Sequence, residues 1–74
     1  MYLIKEEKKD DIKKFRTSYY SQSTGLNISY LSSILNANQK CTEITARAIL
    51  SACLEIPVSD EKMAELLNEY FREE

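Results

Sequence analysis

The chain has 74 residues, 43% of them hydrophobic and 30% charged, with a formal net charge of −2. That length supports one domain with a modest core and leaves no room for a catalytic cleft between domains. One Gly and one Pro are too few for the many turns of an all-β fold, so the composition points to helices. No run approaches the roughly 20 apolar residues of a membrane span, and the start, MYLIKEEKKDD, lacks the apolar core of a secretory signal.

The net charge hides an asymmetry. Residues 1–16 carry six basic and four acidic side chains, residues 17–50 only Lys40, Arg47 and Glu43, and residues 51–74 Lys62 and Arg72 against seven acids. The acidic end is expected to face away from any polyanion. Cys41 and Cys53 lie twelve apart, with no CxxC and no His. This spacing fits two free thiols in a cytoplasmic protein, and a zinc site would lack ligands.

In chain order, MYLI reads as an extended start. Glu6 to about Lys14 reads as a charged first helix with Ile12 and Phe15 on one side. RTSYYSQST (16–24) is rich in hydroxyls and poor in helix formers. A short helix is still expected there, capped by Thr17 or Ser18, with Tyr20 pointing inward. Gly25 should end it in a left-handed conformation, Leu26 should be buried in the turn, and Asn27 should cap the next helix. That helix spans about 28–36, with Leu31, Ile34 and Leu35 on one apolar stripe.

ANQK (37–40) is a polar connection, and Thr42 caps TEITARAILSACLE. The apolar side of that helix is assigned to Ile44, Ala48, Ile49, Ala52, Cys53 and Leu54. Ile56-Pro57-Val58 stops it, because proline cannot extend the hydrogen-bond ladder. Ser59 then caps a last helix, about 59–73, with Asp60 and Glu61 suiting the dipole of its first turn. The expected architecture is a single all-α domain over 1–74, a compact bundle of about five short helices, with a helix-turn-helix at about 17–36.

TGLNISYLSSILN followed by a polar link and TARAILSACLEI resembles the helix-turn-helix of the Cro/C1-type (Xre-like) phage repressor family over roughly residues 16–58. YLSSILN also looks like small regulators of Gram-positive phages and mobile elements. Gly25 takes the turn glycine, Leu26 the buried turn residue, Asn27 the cap, and Leu31 and Ile34 the core positions of the recognition helix. The family often has Gln, Arg or Lys at the positions facing bases, where this chain has Ile28, Ser29, Ser32 and Ser33. Its common glycine after the recognition helix is Ala37 here, with Asn38 available to adopt the unusual backbone angle.

The resemblance implies a DNA-binding transcriptional regulator whose helix 28–36 lies in the major groove of a double-stranded operator. Ile28, Ser29, Tyr30, Ser32 and Ser33 would then meet base edges. Serine hydrogen-bonds several bases, and Ile28 or the Tyr30 ring suits a thymine methyl. Arg16, Asn36, Asn38, Gln39, Lys40 and Arg47 would contact phosphates and fix register, with Lys13 and Lys14 as further cations. The Tyr19 and Tyr20 rings fit the edge of the core better than a base-stacking platform, and Arg47 has Glu43 four residues before it, the favourable order for an ion pair. Met63, Leu66, Leu67, Tyr70 and Phe71 form an apolar stripe that either closes the core or joins a homodimer.

Catalysis fits poorly: there is no His, nucleophile elbow, phosphate loop or carboxylate pair on an apolar face. No cofactor and no small-molecule substrate is expected. The alternative is a small phage-type protein that uses the same fold to bind another protein, either a repressor partner or a host defence nuclease that it inhibits. The negative net charge and the uncharged recognition helix favour it, because phosphate contacts by Lys and Arg normally supply most non-specific DNA affinity.

Overall fold

The computed structural model describes residues 1–54 and 56–74, and in it distant parts of the sequence meet in a small sheet. Strand β1 (Tyr2–Ile4) pairs antiparallel with β2 (Phe71–Glu73), matching Tyr2 to Glu73, Leu3 to Arg72 and Ile4 to Phe71. On its other side Tyr2 exchanges both backbone hydrogen bonds with Cys41, at 2.7 and 2.8 Å. The extended start is therefore a strand. The last helix is shorter than its apolar stripe suggests: α5 (Asp60–Tyr70) gives way at Phe71 to extended backbone, φ −123°. Phe71 thereby buries its ring and satisfies the ladder beside Ile4.

Among the described residues there are five α-helices. The charged N-terminal segment is a 3-10 turn, Glu6–Lys8, followed by the four-residue α1 (Lys9–Ile12). It stops before Lys14 because Ile12 is the only side chain of this segment that reaches the core, and one anchor does not hold a long helix. Then come α2 (Thr17–Thr24), α3 (Ile28–Leu35) and α4 (Glu43–Leu54). Thr42 Oγ1 accepts from the Thr45 amide at 3.3 Å, and Ser59 Oγ from the Lys62 amide at 3.1 Å, so these two expected caps form, whereas Thr17 and Ser18 lie inside α2, whose N-cap is Arg16 with no side-chain hydrogen bond.

One core draws on every helix: Ile12, Tyr20, Leu31, Ile34, Leu35, Ala46, Ile49, Leu50, Leu66 and Leu67 are all buried in it. Tyr20 is a core residue, and its hydroxyl donates to the Ile12 carbonyl. Burial pushes that phenol above its usual range, with Cys53 adding to the effect. Tyr19 stays half-buried, stacked on Phe15 at 4.6 Å and donating to the Ala52 carbonyl at 3.0 Å. Both cysteines are buried free thiols, and burial pushes Cys41 up to about 11.

Three burial expectations change. Ile44, assigned inward on α4, is 81% exposed. The buried positions are Ala46, Ile49, Leu50 and Cys53, a stripe that the 3.6-residue period places on the opposite side of the helix from Ile44. Leu26 and Leu54 are only half-buried and pack against the edge of the core.

Gly25 has φ +77° and closes α2 with its amide on the Ser21 carbonyl at 2.8 Å. A Cβ there would meet nothing within 4 Å. The penalty for a side chain is therefore purely conformational, and Gly25→Val should lower unfolding free energy by more than about 1 kcal/mol while Gly25→Asn costs less. The second left-handed residue is Ala37, φ +62°, and not Asn38. Its neighbours explain why: the Ala37 amide bonds the Ile34 carbonyl at 3.0 Å and the Asn38 amide the Ser33 carbonyl at 2.9 Å. That pattern is a Schellman closure, which puts the left-handed residue directly after the C-cap Asn36 whatever its side chain. Ala37→Gly should accordingly stabilise the fold by roughly 0.5–1 kcal/mol after the extra flexibility of the unfolded chain is counted. Urea unfolding of the three variants measures all of these differences.

Candidate nucleic-acid interface

The link between α2 and α3 is fixed by hydrogen bonds at nearly every residue. Thr24 Oγ1 donates to the Tyr20 carbonyl at 2.7 Å and accepts from the Leu26 amide at 3.3 Å. Ser21 Oγ donates to the Leu26 carbonyl at 2.7 Å. The Asn27 side chain then accepts from the amides of Ser29 and Tyr30, at 2.8 and 3.3 Å. Capping removes two otherwise orphaned donors from the start of α3. With Leu31, Ile34 and Leu35 locked in the core, the outward face of α3 is determined.

That face carries Ile28, 49% exposed, and exposed Ser29, with Ser32 and Ser33 half-buried beside them. Tyr30 is half-buried and leans on the core. Of the proposed base-reading residues, Ile28 and Ser29 are thus the most accessible, and Tyr30 the most committed to packing. The face is short, uncharged and convex.

The flanking residues divide into free and engaged. At the end of α3 the Asn36 amide donates to the Ser32 carbonyl at 2.8 Å, and its oxygen accepts from Lys13 Nζ at 2.7 Å. Lys13 therefore stands at the C-terminal pole of α3, where a cation also suits the helix dipole. Asn38 and Gln39 are exposed. Lys14 lies over the Phe15 ring at 5.2 Å, and Arg16 is exposed just before α2. Arg47 is held by Glu43 at 2.9 Å, and the Tyr2 hydroxyl donates to the same carboxylate at 3.4 Å. Lys40 meets Glu74 at 3.5 Å, while Arg72 holds the other oxygen of that carboxylate at 2.7 Å.

Two of the expected phosphate contacts, Lys40 and Arg47, thus sit in ion pairs. Lys13 and Lys14 gain weight in their place. A sequence signal for them exists: no Asp or Glu occurs between Asp11 and Glu43, whereas Lys13, Lys14, Arg16 and Lys40 all do. The α2–α3 unit is itself uncharged, flanked by cations and free of acids in an acidic chain.

The stripe expected at a dimer interface is otherwise occupied. Met63, Leu66, Leu67 and Phe71 are buried in the chain's own core, and half-buried Tyr70 has the Lys8 ammonium 5.3 Å from its ring centre. A domain this small needs the whole stripe to close its core, so α5 offers no apolar face to a second copy.

Arg72, and then Lys40, hold the Glu74 carboxyl below its ordinary value of 4.5. A carboxyl with a lowered folded-state value stabilises the protein above its unfolded-state value, and that contribution disappears as pH falls through the folded one. Thermal melting of wild type and Glu74→Gln should therefore differ slightly near neutral pH, with wild type the higher, and converge as pH falls through the lowered folded-state value.

Comparison with family models, with curated proteins and with solved structures gives no match to this chain.

Proposed function

We propose that the chain is a DNA-binding regulator that presents α2, the Gly25 turn and α3 to double-stranded DNA as a helix-turn-helix, with α3 in the major groove. The observation that carries this reading is the capped α3, core-locked on one side, within a stretch that holds four cations and no acid. The resemblance to Cro/C1-type repressors points the same way, toward a phage or mobile-element origin. In this reading Ile28 and Ser29 approach base edges first, with Ser33 one turn on. Lys13, Lys14 and Arg16 supply phosphate contacts from the α1–α2 side, and Asn38 and Gln39 from the loop after α3. Serine and isoleucine give modest discrimination, through a hydroxyl that accepts several partners and a methyl contact with thymine.

One observation favours a second reading. Lys40 and Arg47 are neutralised by Glu74 and Glu43, which leaves an uncharged α3 face of the kind that suits a protein partner, such as a repressor or a nuclease. Salt dependence separates the two readings.

Selection from a random-sequence duplex library followed by titration at several salt concentrations tests the DNA reading. Three or four phosphate contacts predict a slope of log K against log salt of roughly −3 to −4 per protomer. Ser33→Ala should change the ranking of operator variants and leave non-specific affinity intact. Lys14→Ala should weaken every sequence and reduce the slope by about one. Absence of binding at about 50 mM salt and protein concentrations of 10⁻⁶–10⁻⁴ M would sink the DNA reading, since that range covers ordinary non-specific affinity.

A further inference from the structure

Cys41, Tyr2 and Glu73 lie opposite one another across adjacent extended segments. Side chains alternate along extended backbone, so their neighbours Lys40, Arg72 and Glu74 share the other, outer face of the sheet. There the Glu74 carboxylate is held at both oxygens. Lys40 Nζ stands 3.5 Å from Oε1, and Arg72 Nε donates to Oε2 at 2.7 Å. Neither cation has a second ion-pair partner among the described residues. The Lys40 and Arg72 side chains are 49% and 62% exposed, so both can be reached from solvent.

A lysine and an arginine closing on the two oxygens of one carboxylate have the arrangement of an anion site. A backbone phosphate presents a comparable pair of unesterified oxygens, and the same donors serve it. Lys40 belongs to the loop that follows α3, and Arg72 to the strand that the sheet lays beside that loop. The other engaged cation behaves differently. Arg47 pairs with Glu43 of its own helix, and the second oxygen of that carboxylate accepts from the Tyr2 hydroxyl, which is neutral. Removing Glu43 would free one cation, whereas removing Glu74 frees a pair.

We propose that Lys40 and Arg72 form a site for a phosphate of the nucleic-acid backbone, and that Glu74 sits in it as a built-in competitor. The inference rests on DNA being the ligand, and it adds Arg72, remote from α3 in sequence, to the contact surface. Exposed pairs of this kind are weak, so a phosphate displaces the carboxylate and Glu74 lowers affinity without abolishing it.

Titration of one duplex at low salt and neutral pH, with every variant shown to be folded by circular dichroism, gives the test. Glu74→Gln should bind roughly two- to fivefold tighter than wild type, the range that an exposed pair can withhold. Glu73→Gln removes the same charge from an adjacent exposed residue that has no ion-pair partner among the described residues, and should gain less. In a Lys40→Gln/Arg72→Gln background the advantage of Glu74→Gln over Glu73→Gln should vanish, which a general loss of negative charge does not predict. Arg72→Gln added to Glu74→Gln should weaken binding to every sequence. Equal gains from Glu74→Gln and Glu73→Gln, or a Glu74→Gln advantage that survives without Lys40 and Arg72, would overturn the site while leaving the DNA reading intact. Failure of both wild type and Glu74→Gln to bind DNA would remove that reading and the site together.

Discussion

The left-handed backbone at Gly25 is the constraint on which the architecture turns. At φ +77° the chain leaves α2 and, within three residues, starts α3 on the Asn27 cap. A right-handed residue there would carry α2 onward and take Leu31, Ile34 and Leu35 away from the core they complete with Tyr20, Ile49 and Leu50. Everything said about the outward face of α3 follows from that reversal. The serines are outside because the leucines and the isoleucine are inside.

Around this turn the chain separates its charges in space as it does in sequence. The charged residues of 12–42 are all cations, and the densest run of acids lies on α5 and the strand that follows it. The separation is incomplete because β1 brings β2 back beside the residue-40 loop, so Glu74 meets Lys40. The sheet that closes the fold therefore also sets how much positive potential surrounds α3. Exposed pairs of this kind are weak, and a phosphate competes with a carboxylate for the same ammonium on similar terms. In the proposed DNA reading Lys40 is consequently an exchangeable contact, whereas Lys14 and Arg16 have no carboxylate to leave among the described residues.

Much of the fold was legible in the sequence. Gly25, the caps Asn27, Thr42 and Ser59, and the 31/34/35 stripe each act through local rules that one stretch of chain states by itself. What stayed hidden depended on non-local pairing. Phe71 leaves the helix only because Ile4 waits beside it, and Lys40 is engaged only because β2 passes near it. Ile44 failed for a different reason. The alanine-rich α4 offers two plausible apolar sides, and the small Ala46 concealed which one packs. Asn38 was the natural choice for positive φ by residue type, yet the Schellman hydrogen bonds fix that position by geometry and place it on Ala37. At the candidate site the outward serines were readable. The state of the cations around them was not, because an ion pair between residues 40 and 74 has no local signature.

The uncharged face of α3 bears on what kind of recognition it can perform. A helix bearing Arg or Lys gains phosphate and base contacts together, so affinity and specificity rise as one. In the proposed DNA reading they are separated: Ile28 and Ser29 offer shape, a methyl contact and an adaptable hydroxyl, and the attraction comes from the flanking cations on the α1–α2 segment. A single protomer built this way gathers little binding energy. Selectivity would then come from presenting two such faces at a fixed spacing, because doubling the contacts multiplies weak discrimination as well as weak affinity. In the proposed DNA reading, a modest α3 therefore makes most physical sense where two such faces act together.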